Sequence, residues 1–330
     1  MQLSTRPFGR TGLTPSATGF GAWAIGGTWG EVTEGAANDA LNAALDAGMT
    51  FIDTADVYGD GRSERLIAEV LATRTGPRPF VATRAGRRLS PHTAAGYSQA
   101  NLQGFIDRSR RNLQQDCLDL VQLHCPPGEI YTNARVFDVL DTIQSNGSIA
   151  RYGVSVEKIA EAEQAIRYPG VTAIQIIYNL FRQRPADAFF KAARAAKVAI
   201  IARVPLASGL LTGKMSAAST FAADDHRSFN RNGEAFDKGE TFSGVPFDVA
   251  LQAVDALRPL VPQGATMAAF ALRWILMDES VTVVIPGAKS ATQARANAAA
   301  DALPPLPPET MQAARQIYAT LIAPHVAHLW

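Results

Sequence analysis

Cysteine, net charge and long apolar runs are all scarce in this sequence. Two cysteines, Cys117 and Cys125, occur among 330 residues, without a C-x-x-C motif or zinc-like spacing to the five histidines. A disulfide-built scaffold is therefore excluded, and a reducing compartment is expected. The 31 basic and 30 acidic residues leave a formal charge of +1, which excludes attraction of the whole molecule to nucleic acid or to an anionic membrane.

The first residues show no targeting segment. Residues 1–7 contain no apolar stretch followed by a cleavage site, and no apolar run in the chain approaches the ~20 residues that a membrane helix requires. We therefore expect a soluble, cytoplasmic protein whose partner is a small molecule, with no nucleic acid and no membrane among its partners. The sequence does not predict an oligomeric state.

Short apolar runs alternate with segments of helical periodicity along most of the chain. Runs of the buried parallel-strand type occupy residues 17–21, 51–53, 80–83, 118–123, 152–154, 173–176, 198–202 and 281–285. Apolar residues at three- and four-residue intervals predict helices at 36–48, 62–71, 101–113, 134–146, 159–167, 187–197, 266–277 and 292–300. The length leaves room for two domains, but no linker divides the chain. The alternation therefore predicts one domain over residues 1–330, an α/β protein with a (β/α)8 TIM barrel.

Two segments lie outside this alternation. Residues 6–16 contain the turn glycines Gly9 and Gly12 and predict a β-hairpin ahead of the barrel. Residues 208–245, which we call the lid, follow the seventh strand and are rich in Gly, Ser, Asp and Arg without periodicity. An irregular connection of this length is usually a functional loop or is disordered.

The C-terminal ends of the strands are where a barrel of this kind carries its functional side chains. Reading these ends in chain order gives Trp23, Asp53 with Tyr58, Arg84, His124, Ser155, Gln175, Arg203 and Pro286-Gly287. The set contains one carboxylate, that of Asp53, and Asp56 follows three residues later. A glycosidase usually needs two facing carboxyl groups, and a metal enzyme needs several converging carboxylates or histidines. Both are disfavoured, and no metal is expected.

Three other patterns are weak signals. Residues 19–24 fit the dinucleotide fingerprint G-x-G-x-x-A, but the glycines that follow do not continue a helix. A Rossmann dehydrogenase would also need a separate C-terminal domain. Residues 209–215 resemble a P-loop with one residue too few and with Met215 where magnesium is bound. Cys125 adjoins His124, but no base at suitable spacing makes it a nucleophile.

Six ordered stretches make the chain similar to the aldo-keto reductase superfamily, and most of all to its bacterial branch with a long seventh loop. They are Phe-Ile-Asp-Thr-Ala-Asp-Val-Tyr-Gly at 51–59, Val-Ala-Thr-Arg-Ala-Gly at 81–86, Asp-Leu-Val-Gln-Leu-His at 119–124, Gly-Val-Ser at 153–155, Pro-Leu-Ala-Ser-Gly-Leu-Leu-Thr-Gly-Lys at 205–214 and Ile-Pro-Gly-Ala-Lys-Ser at 285–290. The resemblance implies hydride transfer from a nicotinamide cofactor, normally NADPH, to the carbonyl of an aldehyde or ketone.

The resemblance also implies four catalytic residues. Tyr58 would be the general acid that protonates the developing alkoxide, and His124 would orient and polarise the carbonyl. Asp53 would pair with the cation at the third strand end. That cation is usually a lysine, whereas this chain has Arg84, which keeps the charge but does not lose its proton. Because a fixed cation favours a phenolate, we expect Arg84 to bring the pKa of Tyr58 from ~10 towards the working pH.

The implied cofactor is NADPH (NADP+), with the lid closing over it. Ser155 and Gln175 can hydrogen-bond a carboxamide, and Arg203 would stack on the nicotinamide or hold the pyrophosphate. Lys289 and Ser290, at a helix N-terminus, would hold a ribose 2′-phosphate, which favours NADPH over NADH. The full predicted set comprises Gly21, Trp23, Asp53, Ser155, Gln175, Arg203, Pro205, Leu206, Gly209, Lys214, Gly287, Lys289, Ser290, Gln293 and Asn297.

Two departures from the family pattern support an alternative of a different class. Arg84 replaces the usual lysine, and Val156 replaces the asparagine that often follows the serine of the fifth strand. A nucleotide-binding regulatory or sensor protein with slow turnover is therefore the second hypothesis. The identity of the carbonyl substrate and the physiological direction are not predicted.

Overall fold

A closed ring of parallel strands forms the centre of the protein. In the computed structural model, which describes residues 2–27 and 29–330, eight strands pair in chain order. The ladder closes where the backbone N–H groups of Gly19 and Gly21 donate to the carbonyls of Val284 and Pro286 at 2.8 and 3.0 Å. The predicted (β/α)8 barrel is thus confirmed. The strands are β1 Phe20–Gly21, β2 Phe51–Asp53, β3 Phe80–Ala85, β4 Leu120–His124, β5 Tyr152–Ser155, β6 Val171–Ile177, β7 Ala199–Arg203 and β8 Val281–Val284.

Helices surround the ring. Several helices begin at a residue whose side chain caps the helix N-terminus. The hydroxyl groups of Ser98, Thr266 and Ser290 each accept the backbone N–H of the third residue after them. Within the described ranges, no helix is both long and apolar enough to cross a membrane. The helices are α1 Trp23–Gly26, α2 Glu34–Asp46, α3 Arg62–Thr73, α4 Gln99–Leu113, α5 Ala134–Ser145, α6 Ile159–Ala165, α7 Arg184–Ala188, α8 Phe190–Ala195, α9 His226–Phe229, α10 Phe247–Leu257, α11 Met267–Leu276, α12 Ala291–Ala299, α13 Pro308–Ile317 and α14 Ala323–Val326.

Two helical regions differ from the sequence prediction. Residues 187–197 form two helices instead of one, because the backbone of Phe189 (φ −121°, ψ −37°) leaves the helical range. The C-terminal residues had no predicted helix, yet α13 starts at Pro308 and continues through a π-helical turn into α14. Proline at the first helical position has no N–H to leave unpaired, so it starts a helix readily.

The interior of the barrel has an apolar layer below a polar one. Alternate residues of a strand face the same side, so Phe51, Ala82 and Leu120 lie one step below Asp53, Arg84 and Gln122. The apolar layer is completed by Phe8, Ala173, Ala199, Ile201, Val283 and Ile285. This alternation places the polar side chains at the C-terminal end of the barrel.

The N-terminal end of the barrel is closed by Phe8. Its backbone N–H donates to the carbonyl of Leu13 at 2.7 Å, within the segment predicted as a hairpin. The Phe8 ring packs on Phe51 and Phe80 with centroids 5.8 and 5.4 Å apart. Burial of a phenylalanine side chain contributes about 2–3 kcal/mol. This segment therefore stabilises the end of the barrel opposite the polar layer.

The lid is a folded segment held by its own polar contacts. The side chain of Asn230 is buried and accepts the N–H groups of Ala235 and Phe236 at 2.8 and 2.9 Å. The hydroxyl of Ser208 accepts the N–H of Phe242 and donates to the carbonyl of Glu240, both at 3.0 Å. These bonds fix the lid although it contains few regular elements.

Candidate active site

A buried ion pair between Asp53 and Arg84 lies at the centre of the polar layer. Arg84 Nη2 donates to Asp53 Oδ1 at 2.6 Å and to the Tyr58 oxygen at 2.7 Å. Its Nε donates to the carbonyl of Thr54 at 3.0 Å, and its Nη1 donates to Gln175 Oε1 at 2.8 Å. Three of the four predicted catalytic residues are thus joined directly.

Two glutamines hold the other carboxylate oxygen of Asp53. Gln175 Nε2 donates to Asp53 Oδ2 at 2.7 Å, and Gln122 Nε2 lies 3.4 Å from the same atom. The Gln175 oxygen accepts bonds from Arg84 and, at 3.4 Å, from Ser155. Burial raises the pKa of the Asp53 carboxyl, and Arg84 and Gln175 oppose that rise. Gln175 therefore orients the ion pair here, and its role towards a carboxamide stays a prediction.

The hydroxyl of Tyr58 is set up as a proton donor. A guanidinium has only donors, so the Tyr58 oxygen accepts from Arg84 and its own O–H is left to donate elsewhere. Burial raises the pKa of Tyr58 to about 12, although Arg84 acts in the opposite direction. The expectation that the cation would bring this pKa towards the working pH is therefore wrong, because desolvation outweighs the neighbouring charge. Tyr58 is protonated at neutral pH.

His124, the fourth predicted catalytic residue, lies beside Tyr58. The two rings are nearly perpendicular, with centroids 6.2 Å apart. Burial, together with the positive charges of Arg87 and Arg84, lowers the pKa of His124 well below its ordinary value, so the imidazole is neutral. Its Nδ1 atom is buried and has no hydrogen-bond partner among the described residues. An unpartnered buried nitrogen next to a proton donor suits a polar ligand atom.

A second cluster of buried charges adjoins the first and was mostly missed by the sequence reasoning. Arg203 Nη2 donates to Glu157 at 2.8 Å, and Arg87 Nη2 donates to Glu240 at 2.9 Å. Arg203 Nη1 also lies 3.5 Å from Glu240. Glu157 and Arg87 each lie two residues after the end of a strand, so strand-end counting could have found them. Glu240 belongs to the lid, where no periodicity marks it.

This cluster adds two carboxylates, those of Glu157 and Glu240, which lie beyond the strand ends themselves. Atoms of Cys125, Glu157 and Glu240 lie within 4.8 Å of one another, a spacing that could hold a metal ion. The guanidinium groups of Arg87 and Arg203 already pair with both carboxylates. Burial also raises the pKa of the Cys125 thiol, and a protonated thiol is a poor metal ligand. The geometry therefore favours ion pairing over metal binding.

The two carboxylates of this cluster respond differently to their surroundings. Burial raises the pKa of Glu157 to about 7, and Arg203 opposes the rise. Burial would also raise the pKa of Glu240, but Arg87 and Arg203 together hold it well below its usual range. Glu240 therefore carries the charge that pairs with both arginines at neutral pH.

Aromatic side chains lie over Tyr58. The Trp23 ring stacks on the Tyr58 ring at 5.9 Å and 11°, and it contacts His226 at 4.7 Å and Phe236 at 6.0 Å. Trp29 contacts His226 at 4.4 Å. His226 and Phe236 belong to the lid. The lid thus contacts Trp23, which was predicted as a cofactor contact and which packs against Tyr58.

The start of α12 gathers the residues predicted to bind the adenosine phosphate. The Ser290 hydroxyl accepts the N–H of Gln293 at 3.3 Å and caps the helix. Gln293 Oε1 accepts the N–H of Lys289 at 2.7 Å, and Lys289 Nζ donates to the carbonyl of Trp29. Asn297 lies one turn further on. This end of α12 combines a cation, a hydroxyl and the N–H groups of a helix N-terminus, which suits an anion.

Glycines permit close backbone contacts beside this helix. A Cβ atom at Gly21 would lie 2.6 Å from the carbonyl oxygen of Ile285, so only glycine lets β1 approach the end of β8. Gly287 is exposed, and its carbonyl accepts the side-chain amide of Asn297 at 3.0 Å. Gly287 and Asn297, both predicted to bind the cofactor, are therefore in direct contact.

The remaining predicted cofactor residues lie after β7. Pro205 is buried, Leu206 is half-buried, and Gly209 adopts a positive φ of 96° in the tight turn that follows. Lys214 is exposed at the end of this segment. Their roles towards a cofactor stay predictions.

Asp56 is a buried carboxyl group whose charge should cost stability. Neither of its oxygens has a hydrogen-bond partner among the described residues. Burial and the charge of Glu64 raise its pKa from 3.8 to about 7. Because the folded-state pKa lies above the unfolded value, protonation of Asp56 favours the folded state. This contribution to the unfolding free energy is complete below pH 3.8 and is lost as the pH rises through 7.

An Asp56→Asn variant should therefore be more stable than the wild type at pH 8. We expect a gain of a few kcal/mol at pH 8, because each pKa unit corresponds to about 1.4 kcal/mol, and a gain less than half as large at pH 5. Urea unfolding at both pH values measures it. Asp116→Asn, at an exposed carboxylate, is the matched control. An equal effect of Asp56→Asn at the two pH values would contradict the buried neutral acid.

Comparison with known proteins places this architecture in a family. The model of the aldo/keto reductase family matches residues 17–319. Aldo-keto reductase YhdN of Bacillus subtilis is 30% identical over 292 residues, which cover 87% of this chain and 85% of that protein. The NADH-specific methylglyoxal reductase of Escherichia coli is 26% identical, with coverages of 89% and 92%.

A solved structure agrees with these sequence matches. Glycerol dehydrogenase AKR11B4 of Gluconobacter oxydans superposes with a TM-score of 0.76 at 28% identity, covering 98% of this chain and 96% of that one. The family model spans the barrel from β1 to α13, including every predicted catalytic residue. The chain therefore belongs to the aldo/keto reductase family of oxidoreductases.

Proposed function

We propose that this protein reduces an aldehyde or ketone to an alcohol with NADPH, and that Tyr58 is the general acid. The observation that carries the proposal is the 2.7 Å bond from Arg84 Nη2 to the Tyr58 oxygen. Since that bond uses the phenol as an acceptor, the Tyr58 proton is available to a substrate oxygen. The neutral imidazole of His124 lies next to it.

The residues around Tyr58 fit a nicotinamide cofactor. His124 Nδ1 and Arg203 Nε are buried atoms without a hydrogen-bond partner among the described residues, and such atoms point to a polar ligand. Ser155 and Arg203 would hold the nicotinamide end, and Lys289 and Ser290 would hold the 2′-phosphate. When bound, the reduced nicotinamide supplies the hydride.

The protein's own part in the reaction is proton transfer and charge stabilisation. Tyr58 donates its proton to the carbonyl oxygen as negative charge develops there. An alkoxide is more basic than a phenolate, so this transfer is favourable even with a pKa of about 12 for Tyr58. Arg84, bonded to the Tyr58 oxygen, stabilises the phenolate that remains. His124 can orient the carbonyl through an N–H without adding another charge.

Arg84 acts in this scheme as a fixed charge. Arginine stays protonated at all ordinary pH values, and four protein acceptors already engage its guanidinium. Arg84 therefore does not relay a proton, and the proton of Tyr58 has to be restored from solvent. Asp53 holds the guanidinium in place.

Steady-state oxidation of NADPH with a panel of aldehydes and ketones tests the function. We expect at least one carbonyl to be reduced with repeated turnover. Bound NADPH that stays unoxidised with every carbonyl would favour the nucleotide-binding sensor. Because one relative is named NADH-specific, the panel is run with both cofactors.

A Lys289→Ala variant tests the cofactor preference. We expect the KM for NADPH to rise about 10–100-fold, because a charge-assisted bond to phosphate is lost. The KM for NADH should stay within about twofold, since NADH lacks the 2′-phosphate. The control Arg295→Ala removes an exposed cation from the same helix. Equal losses for both cofactors would contradict the role of Lys289.

A further inference from the structure

We propose that Trp330 is a positioning residue, which fixes the lid turn that carries Glu240 and so sets how tightly the nicotinamide cofactor is retained. The inference rests on the proposed function, because it concerns the cofactor of the same site. It assigns a role to the C-terminal residues, which the reductase chemistry does not use.

The indole of Trp330 lies between an acidic residue of the lid and a basic residue of the barrel. Its Nε1 donates to Asp237 Oδ1 at 3.0 Å and lies 3.2 Å from Oδ2. The guanidinium carbon of Arg182 lies 3.8 Å from the ring centroid, a cation–π contact. A single side chain therefore ties the lid to the segment that follows β6.

Two lid glycines make room for the indole. A Cβ atom at Gly244 would overlap the Trp330 ring, and one at Gly239 would lie 3.1 Å from it. Gly244 also has φ +78°, which other residues rarely adopt. The lid is thus shaped around this aromatic ring, as expected for a specific contact.

The backbone of residues 327–330, which we call the tail, is hydrogen-bonded to the barrel independently of the lid. Arg184 Nη1 donates to the carbonyls of Ala327 and Trp330, both at 2.6 Å. Arg184 begins α7 and lies two residues after Arg182. The tail therefore gives Trp330 a fixed position from which to hold the lid.

A short turn links Trp330 to the buried charges. The Asp237 oxygen that accepts the indole N–H also accepts the N–H of Gly239 at 2.7 Å, which caps the turn at residues 238–240. Glu240 ends this turn and pairs with Arg87 and Arg203. Loss of the indole would thus release the turn and weaken the contact of Glu240 with Arg203.

Variants at Trp330 test the proposal. Trp330→Ala should raise the Kd for NADPH, measured by fluorescence titration, about tenfold, the factor that corresponds to about 1.4 kcal/mol. The KM for NADPH should rise with it, whereas kcat should not fall, because the catalytic residues are untouched. Trp330→Phe keeps the ring over Arg182 but loses the N–H, so we expect an intermediate Kd. Asp237→Asn should weaken binding in the same direction.

Hydrogen exchange of the lid amides separates this inference from the proposed function. Amides at residues 237–244 should exchange faster in Trp330→Ala than in the wild type, with or without NADPH. The matched control is Leu329→Ala, an exposed neighbour, which should leave the lid unchanged. If the wild type fails to bind NADPH, the proposed function fails. If lid exchange and Kd in Trp330→Ala match those of Leu329→Ala, the positioning role is overturned.

Discussion

A Tyr58→Phe variant is expected to lose carbonyl reduction by about 10²–10⁴-fold, the usual contribution of a general acid, while it still binds NADPH. The phenylalanine ring keeps the stacking on Trp23 but removes the proton donor. The oxygen that accepts from Arg84 is lost as well. Steady-state kcat with any accepted carbonyl, together with the Kd for NADPH, measures the effect.

The control for this prediction is Tyr168→Phe, which removes a hydroxyl from a ring stacked on Phe137. We expect that variant to keep wild-type turnover. The raised pKa of Tyr58, about 12, adds a pH test. Because the acid stays protonated, reduction should not fall from Tyr58 ionisation between about pH 7 and 9. Unchanged turnover in Tyr58→Phe would overturn the assignment.

An Arg84→Met variant should damage both stability and activity. Methionine has a similar length but no charge, so the buried Asp53 carboxylate would lose its main partner. Breaking one partner of a buried ion pair costs about 3–5 kcal/mol of unfolding free energy. Turnover should also fall strongly, because no cation would stabilise the Tyr58 phenolate. Urea unfolding and kcat measure the two effects.

Two further variants separate the contributions of Arg84. The double variant Asp53→Asn/Arg84→Met removes both charges, so it should recover part of the stability but none of the activity. Arg84→Lys keeps the charge, although an ammonium cannot bond Asp53, Tyr58, Thr54 and Gln175 as the guanidinium does. We expect it to retain measurable turnover. Complete inactivity of a folded Arg84→Lys variant would contradict a purely electrostatic role.

The apolar runs predict the strands of the barrel, but three of the predicted strands end one or two residues too early at their C-terminal ends. The run 80–83 stops before Arg84, 118–123 stops before His124, and 198–202 stops before Arg203, yet each polar residue belongs to the strand. The reason is that these side chains face inward in the polar layer, where hydropathy gives no strand signal. The error thus falls on the residues that form the site.

The convergence of the predicted catalytic residues could be foreseen from the sequence, but their environment could not. Asp53, Arg84 and His124 come from consecutive strands, and parallel order fixes them side by side. The raised pKa of Tyr58 depends on burial depth, which no local pattern encodes. The pairing of Glu240 with Arg203 depends on the path of an irregular lid, which also lies beyond sequence patterns.

The apolar layer beneath the site has a consequence for proton supply. Phe8, Phe51 and Phe80 close the N-terminal end of the barrel, so hydrocarbon lies under Asp53 and Arg84. In the proposed mechanism, protons that Tyr58 gives up would therefore be replaced from the lid side, the side on which the proposed cofactor and substrate would enter. Under that mechanism, reprotonation of Tyr58 and exchange of cofactor and substrate would use the same side of the barrel, so both steps would be completed before the next turnover.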